Sequence, residues 1–340
     1  MRRVGVRCDV GPGRGIGHVM RCLALAEEVR RRGVDLVFVC DAYTVPWAAE
    51  QIAARGMAVE RAVGSPDEHV ELFKRLRLDA VVFDSYDLDA PVYSAVRASL
   101  PTLAIVDGDF RGAEADVLVD QNLAAELDHP SLPRDSVRLA GLPYVMIRDE
   151  ILGHRPSTPP TTGRASAVPR VFAFFGGTDA FGAGPYVARA LAATGLPFEA
   201  TVVAPAPDLA ARIAAVELQP HQRLDVIGPT DQLAARVREA DLTISASGTS
   251  TWELLCLGAT AALVCVVDNQ VMGYERAVDT GAAAGLGLLS ALQQDSSSAD
   301  QVLKRLLGDP AERGRLARAG WELVDGRGRE RVADALLGLI

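Results

Sequence analysis

Short, continuous apolar runs alternate with segments of helical period along this 340-residue chain, and the alternation is broken once by a proline-rich stretch. The first runs are Val4-Gly5-Val6, Leu36-Val37-Phe38-Val39-Cys40, Ala80-Val81-Val82-Phe83, Leu103-Ala104-Ile105-Val106 and Val117-Leu118-Val119. Between the first two, the spacing predicts a helix from about His18 to Arg31. Runs this short and this uniformly apolar, separated by helices, describe strands buried on both faces, and hence a parallel sheet. The pattern stops at Arg155-Pro156-Ser157-Thr158-Pro159-Pro160-Thr161-Thr162-Gly163, which can continue neither a helix nor a strand. It restarts with Val171-Phe172-Ala173-Phe174-Phe175, Thr201-Val202-Val203, Leu242-Thr243-Ile244-Ser245 and Ala262-Leu263-Val264-Cys265-Val266-Val267. The expected architecture is α/β, with two Rossmann-like domains over residues 1–151 and 169–340, a linker over 152–168, and a cleft between facing strand ends. A helical tail from about Ala311 to Ile340 is long enough to pack back across the junction.

Charge and cysteine usage narrow the function classes. A net charge of −9 argues against sequence-independent binding to nucleic acid, which needs a basic footprint. The five cysteines (Cys8, Cys22, Cys40, Cys256 and Cys265) are scattered and contain no Cys-x-x-Cys pair, so neither a disulfide framework nor a structural zinc site is expected. No run approaches the roughly 18 apolar residues of a membrane span, and Met1-Arg2-Arg3 leads straight into a strand. The expectation is a cytoplasmic protein with no stable membrane insertion.

Polar clusters stand where the apolar runs end, and in open α/β sheets ligands bind at the carboxyl ends of strands. The first run is followed by Arg7-Cys8-Asp9 and then by Gly15-Ile16-Gly17-His18, a loop that gives way to a helix. Gly15-x-Gly17 runs on through His18 without the third glycine or alanine that a dinucleotide fingerprint places three positions after the second, so a nicotinamide enzyme is disfavoured. A lone histidine is more often a loop or capping residue, but its place after two glycines at a strand end favours a general base. Asp9 can orient that imidazole or a sugar hydroxyl. Arg21, about one turn further along, reads as a surface cation or as a tie to a strand end. Asp84-Ser85-Tyr86 and Asp107-Gly108-Asp109 follow two further runs.

In the second half, Phe175-Gly176-Gly177-Thr178-Asp179 is the equivalent break, with glycines that let backbone approach a ligand and a helix start expected behind them. Ser245-Ala246-Ser247-Gly248-Thr249-Ser250-Thr251-Trp252-Glu253 offers hydroxyls and amides for a phosphate, with Glu253 placed for ribose hydroxyls. The same residues also fit an ordinary helix cap. Asp268-Asn269-Gln270 closes the next strand. No His, Asp and Glu cluster has metal-ligand spacing, so neither a metal nor a cofactor is expected.

Several motifs resemble one family: Arg7-x-Asp9, Gly15-x-Gly17-His18-x-x-Arg21-Cys22-Leu23, Asp84-x-Tyr86, Asp120-Gln121-Asn122, Tyr144-x-x-x-Arg148, Phe175-Gly176-Gly177-Thr178-Asp179, Gly248-Thr249-x-Thr251-Trp252-Glu253 and Asp268-Asn269-Gln270. Together they are similar to the UDP-sugar hydrolases of the pseudaminic acid pathway and to related spore-coat polysaccharide proteins. That family in turn resembles the GT-B glycosyltransferases. The resemblance implies a GT-B fold with uridine held by the C-terminal domain. It implies release of UDP from UDP-2,4-diacetamido-2,4,6-trideoxy-β-L-altropyranose by water, with inversion at the anomeric carbon. His18 would be the catalytic histidine, with Tyr86 and Asn269 positioning sugar and water, and Asp9 assisting. Substrate contacts would come from Gly15, Gly17, Arg21, Gly176, Gly177, Thr178, Ser247, Gly248, Thr249, Thr251, Glu253 and Gln270. Ser85 stands where the family carries histidine, and Asp107-Gly108-Asp109 replaces an Asp-Asp pair. The alternative on the same donor site is a transferase with an alcohol or lipid acceptor.

Overall fold

A computed structural model of the chain describes residues 2–11, 17–160 and 168–340, which divide into two compact units. The first comprises Met1–Asp149 and Gly326–Ile340. Its strands are β1 (Arg3–Cys8), β2 (Asp35–Val39), β3 (Ala58–Glu60), β4 (Ala80–Asp84), β5 (Thr102–Ile105), β6 (Val117–Asp120) and β7 (Val137–Ala140), in the order β3-β2-β1-β4-β5-β6-β7. Every neighbouring pair is parallel. Alternation along the strands splits the core into two layers. Val4, Val6, Cys8, Phe38 and Val82 face the layer that holds the Gly17–Arg31 helix, and Val37, Val39, Val81 and Phe83 face the other. That helix buries Val19, Cys22, Leu23, Ala26 and Val29, and its last turn carries Arg30 and Arg31, where cations suit the dipole.

The tail departs from the expected domain boundary. Residues 324–327 separate the Pro310–Leu323 helix, in the second unit, from the Gly328–Leu337 helix, in the first. Val332, Ala333 and Leu336 join the first unit's core, where burying Val332 and Leu336 contributes on the order of 1.5–3 kcal/mol each. A Cβ at Gly328 would collide with the backbone of Val145. Buried Arg329 reaches Glu27 at 3.2 Å and Asp149 at 2.5 Å. Close packing and a buried cation, rather than apolar spacing alone, place this helix.

The second unit, Glu150–Asp325, carries β8 (Arg170–Phe174), β9 (Phe198–Val203), β10 (Gln222–Ile227), β11 (Leu242–Ala246), β12 (Ala261–Cys265) and β13 (Ala283–Leu288). Their order is β10-β9-β8-β11-β12-β13, again all parallel. The first part of the expected linker belongs to this unit. Arg155 stacks 4.4 Å over the Trp321 ring and donates to the carbonyls of Cys256 and Trp321, while the Trp321 indole donates to the Pro156 carbonyl at 3.0 Å. The remainder of that stretch, 161–167, lies outside the described residues. All five cysteines are free and buried.

Candidate functional site

The carboxyl end of the first sheet gathers a closed set of charges. β1 and β4 run side by side with Cys8 opposite Asp84, so the Asp84 carboxylate emerges beside the start of the Gly17–Arg31 helix. Asp84 is fully buried, and a buried carboxylate must be paired. His18 Nδ1 lies 2.6 Å from Asp84 Oδ1. Arg21 donates from Nε to Asp84 Oδ2 at 2.6 Å and from Nη2 to Asp84 Oδ1 at 2.5 Å. The same guanidinium makes a second fork, with both Nη atoms 2.9 Å from the oxygens of Asp107, the second residue after β5. Tyr86 donates its phenol proton to Asp107, and its ring meets the His18 ring edge-on at 4.5 Å.

These contacts set the protonation states. Burial opposes the charge on Arg21, yet Asp107 and Asp84 more than reverse that and hold it firmly cationic. Burial likewise works against ionised Asp84 and Asp107, but the facing Arg21 holds both below the ordinary carboxylate range, with help from His18 at Asp84. Burial, followed by Asp107, pushes the Tyr86 phenol above its ordinary value. An ionised carboxylate at Nδ1 favours the tautomer with its proton there, which leaves Nε2 as the basic nitrogen.

Several expectations change at this end. Asp84, not Asp9, orients the imidazole: Asp9 instead accepts from the Ser85 hydroxyl and the Tyr86 amide, both at 2.7 Å, and pairs with Arg7 at 3.3 Å. It shapes the turn after β4. Arg21 is no surface cation and no evident substrate ligand, since both its forks are engaged by carboxylates and only 6% of it is exposed. Gly17 begins the helix, while Gly15 lies outside the described residues. Asp107 and Asn122 were not expected to be central. Asn122 donates to Asp107 at 3.1 Å and to Asp120 at 2.9 Å, and Asp120 takes the Gly108 amide at 3.0 Å. The usable signal was position, because each acid stands at or just past the end of a buried apolar run.

The second sheet's carboxyl end is built differently. After β8 the chain exposes Gly176, Gly177 and Thr178, with Gly176 at φ +75°. The helix expected behind Gly177 starts only at Gly184, and buried Asp179 accepts from the Ala183 and Gly184 amides at 2.8 and 2.9 Å. That helix start is thus occupied by protein and not available to a diphosphate. After β11, by contrast, the Ser250–Cys256 helix begins with no side-chain cap. Ser247 donates to Gln270 at 3.2 Å, and the same Gln270 oxygen takes the Val266 amide at 3.2 Å, tying the ends of β11 and β12 together. The hydroxyls of buried Ser245 and Thr251 have no protein partner among the described residues. Gly248 and Glu253 are half-buried, Thr249 is exposed, and Asn269 is exposed in the Asp268–Gln270 turn. Of the four expected catalytic residues, the structure brings His18 and Tyr86 into contact, puts Asp9 behind Tyr86, and assigns Asn269 to the other unit. Among the described residues, no group of three or more His, Cys, Asp or Glu is placed to hold a metal ion.

No family model matches the chain. It is 26% identical over 364 aligned positions to the UDP-N-acetylglucosamine–N-acetylmuramyl-(pentapeptide) pyrophosphoryl-undecaprenol N-acetylglucosamine transferase of Xanthomonas euvesicatoria pv. vesicatoria, covering 94% of this chain and 78% of that protein. Over 124 residues, 36% of this chain and 35% of the relative, it is 32% identical to the spore coat polysaccharide biosynthesis protein SpsG of Bacillus subtilis. The crystal structure of Acinetobacter baumannii MurG superposes with a TM-score of 0.69 at 16% identity, across 99% of this chain and 100% of that one. The chain thus has the GT-B glycosyltransferase fold and is glycosyltransferase-like. Neither relative named here is described as a hydrolase. No helix among the described residues is long and apolar enough to cross a membrane.

Proposed function

We propose that this protein transfers a glycosyl group from a UDP-sugar to an acceptor hydroxyl, with the second unit binding the nucleotide and His18 of the first acting as base. The observation that carries the reading is the His18 Nδ1 to Asp84 contact, which leaves Nε2 to take the acceptor's proton. The acceptor oxygen attacks the anomeric carbon, the bond from that carbon to the diphosphate oxygen breaks, and UDP leaves with the electron pair. A single direct displacement inverts the anomeric centre. Similarity across 94% of the chain to a transferase whose name includes a UDP-sugar supports the choice of donor. The Ser245 to Glu253 stretch, with a helix start that has no side-chain cap and the Ser245 and Thr251 hydroxyls without a partner among the described residues, supports the choice of nucleotide site.

Local similarity to the spore-coat protein and the quoted motifs favour a second reading, in which water replaces the acceptor and the donor is a UDP-diacetamido-trideoxyhexose. One assay separates the two. UDP release is followed from a panel of UDP-amino sugars, with and without alcohol and lipid acceptors, in ¹⁸O-water. Release that depends on an acceptor is the expected result. Rapid release without one, with ¹⁸O at the sugar's anomeric carbon, would replace transfer by hydrolysis. Label in UDP would mean attack at phosphorus and would remove both readings.

A further inference from the structure

Asp107 is saturated by the protein around it. A carboxylate accepts about four hydrogen bonds. Asp107 Oδ1 takes Arg21 Nη1 at 2.9 Å and Asn122 Nδ2 at 3.1 Å, while Oδ2 takes Arg21 Nη2 at 2.9 Å and the Tyr86 hydroxyl. No capacity remains for a ligand. The acid nevertheless reaches the His18 ring by two routes: through Tyr86, whose ring meets it edge-on, and through Arg21 and Asp84. Its own position is fixed from below, since Asn122 also donates to Asp120, and Asp120 takes the amide of Gly108, the residue after Asp107.

We infer that Asp107 is a positioning residue that sets two functional groups at once, locking the Tyr86 hydroxyl proton inward and clamping Arg21 on Asp84 so that His18 keeps one tautomer and one orientation. A phenol has a single proton, and here it is committed to Asp107. Tyr86 therefore meets a substrate only as an acceptor, and the group it recognises brings the proton, as a hydroxyl or an amide N–H does. The Tyr86 ring is itself held, with the Arg111 guanidinium stacked 3.9 Å over it and His18 at its edge. This inference deepens the transfer reading and rests on it for its catalytic meaning, whereas the coupling of Asp107 to the His18 ring stands on geometry alone.

The test compares Asp107→Asn, Tyr86→Phe and the double variant in the full chain. Tyr86→Phe removes a single oxygen from a half-buried residue and so guards against a result caused by misfolding. The first readout is ¹⁵N–¹H NMR of the histidine rings, with His18 assigned through His18→Gln. Asp107→Asn should shift the His18 ring signals and leave those of His129, His154 and His221 in place. The second readout is UDP release from UDP-N-acetylglucosamine as the probe donor, with acceptor present. Each single variant should lower kcat by about 10-fold or more with a smaller change in KM, and the double variant should be little worse than either, because both break one connected network. Unchanged His18 signals in folded Asp107→Asn, or independent and additive losses, would overturn the assignment. If the wild-type protein releases no UDP under any condition, the transfer reading falls while the ring signals still decide the coupling.

Discussion

The two sheets end in opposite ways. At the carboxyl end of the first, Asp84 and Arg21 are buried, Asp107 is half-buried, and the three satisfy one another. At that of the second, Gly176 to Thr178 and Asn269 are exposed, and among the described residues the Ser250–Cys256 helix has no side-chain cap and the buried Ser245 and Thr251 hydroxyls have no protein partner. A site that performs a proton transfer gains from groups held before the substrate arrives, and buried charges deliver that only when every one is paired. A site that only binds can leave its polar groups for the ligand to satisfy. The difference teaches that rigidity and open valence are allotted to different units, so variants in the first should act on stability and turnover and variants in the second on affinity.

The largest effect should come from removing the cation at the centre of the first network. Arg21→Ala leaves buried Asp84 without its guanidinium and beside half-buried Asp107, and breaking a buried pair in this way costs about 3–5 kcal/mol. Chemical denaturation of the variant measures it. A loss below about 1 kcal/mol, the scale of an exposed ion pair, would mean that the network is wet and that the contrast between the units is overstated. His18→Ala should come next, lowering turnover by about 10²-fold while UDP affinity by calorimetry stays within about twofold. A parallel fall in affinity would erase the division of labour.

A smaller effect is expected in the second unit. Glu253→Ala should weaken UDP binding by about 10-fold, the scale of losing one hydrogen bond to a charged group, and should lower kcat/KM with little change in kcat. A selective loss of kcat would move Glu253 from binding to chemistry.

How much of this was legible follows from where each residue sits in its sheet. The interior strands β1, β2, β4, β5, β6, β8, β9, β11 and β12 stand out as apolar runs because each is flanked by a strand on both sides. The strands that the apolar pattern missed, β3, β7, β10 and β13, are the four sheet edges. β3 has only three residues and ends in Glu60, while Arg138, the charged Arg223 and Asp225, and Gly285 and Gly287 interrupt any continuous apolar run in the other three. Edge strands need such residues to avoid pairing with other chains, so the features that make them safe also hide them. In the site, Arg7, Asp9, His18, Arg21 and Tyr86 were visible as polar residues near strand ends. The pairing of His18 with Asp84 was not, because it depends on β4 lying beside β1, 76 residues away along the chain from Asp84 to Cys8, and spacing says nothing about strand order. Asp179 misled for a related reason: a glycine pair followed by an acid marks a loop, but only the fold shows that the acid folds back onto the helix start.

The smallest effect is the sharpest check, since it sets a carboxylate of the second unit against those of the first. Asp84 and Asp107 are held below the ordinary range, so their stabilising contribution is present above the unfolded value of about 3.9 and is lost as pH falls through their folded values. Asp179 has the opposite sign. Burial pushes its carboxyl up, and the Gly184 and Ala183 amides only partly offset this. Its contribution is fully present below the unfolded value and fades as pH rises through the folded one. Asp179→Asn keeps an oxygen for one of those amides and tolerates the backbone at φ +42°, where asparagine is accepted as readily as aspartate. At neutral pH the substitution should therefore cost no more than about 1 kcal/mol, the ordinary worth of a helix cap. The wild type's advantage over the variant should grow as pH is lowered from 7 towards 4, measured as the difference between their melting temperatures. If the advantage instead shrinks on acidification, the charged form of Asp179 is the one the fold prefers, and its loop resembles the saturated end of the first sheet more than the open end of its own.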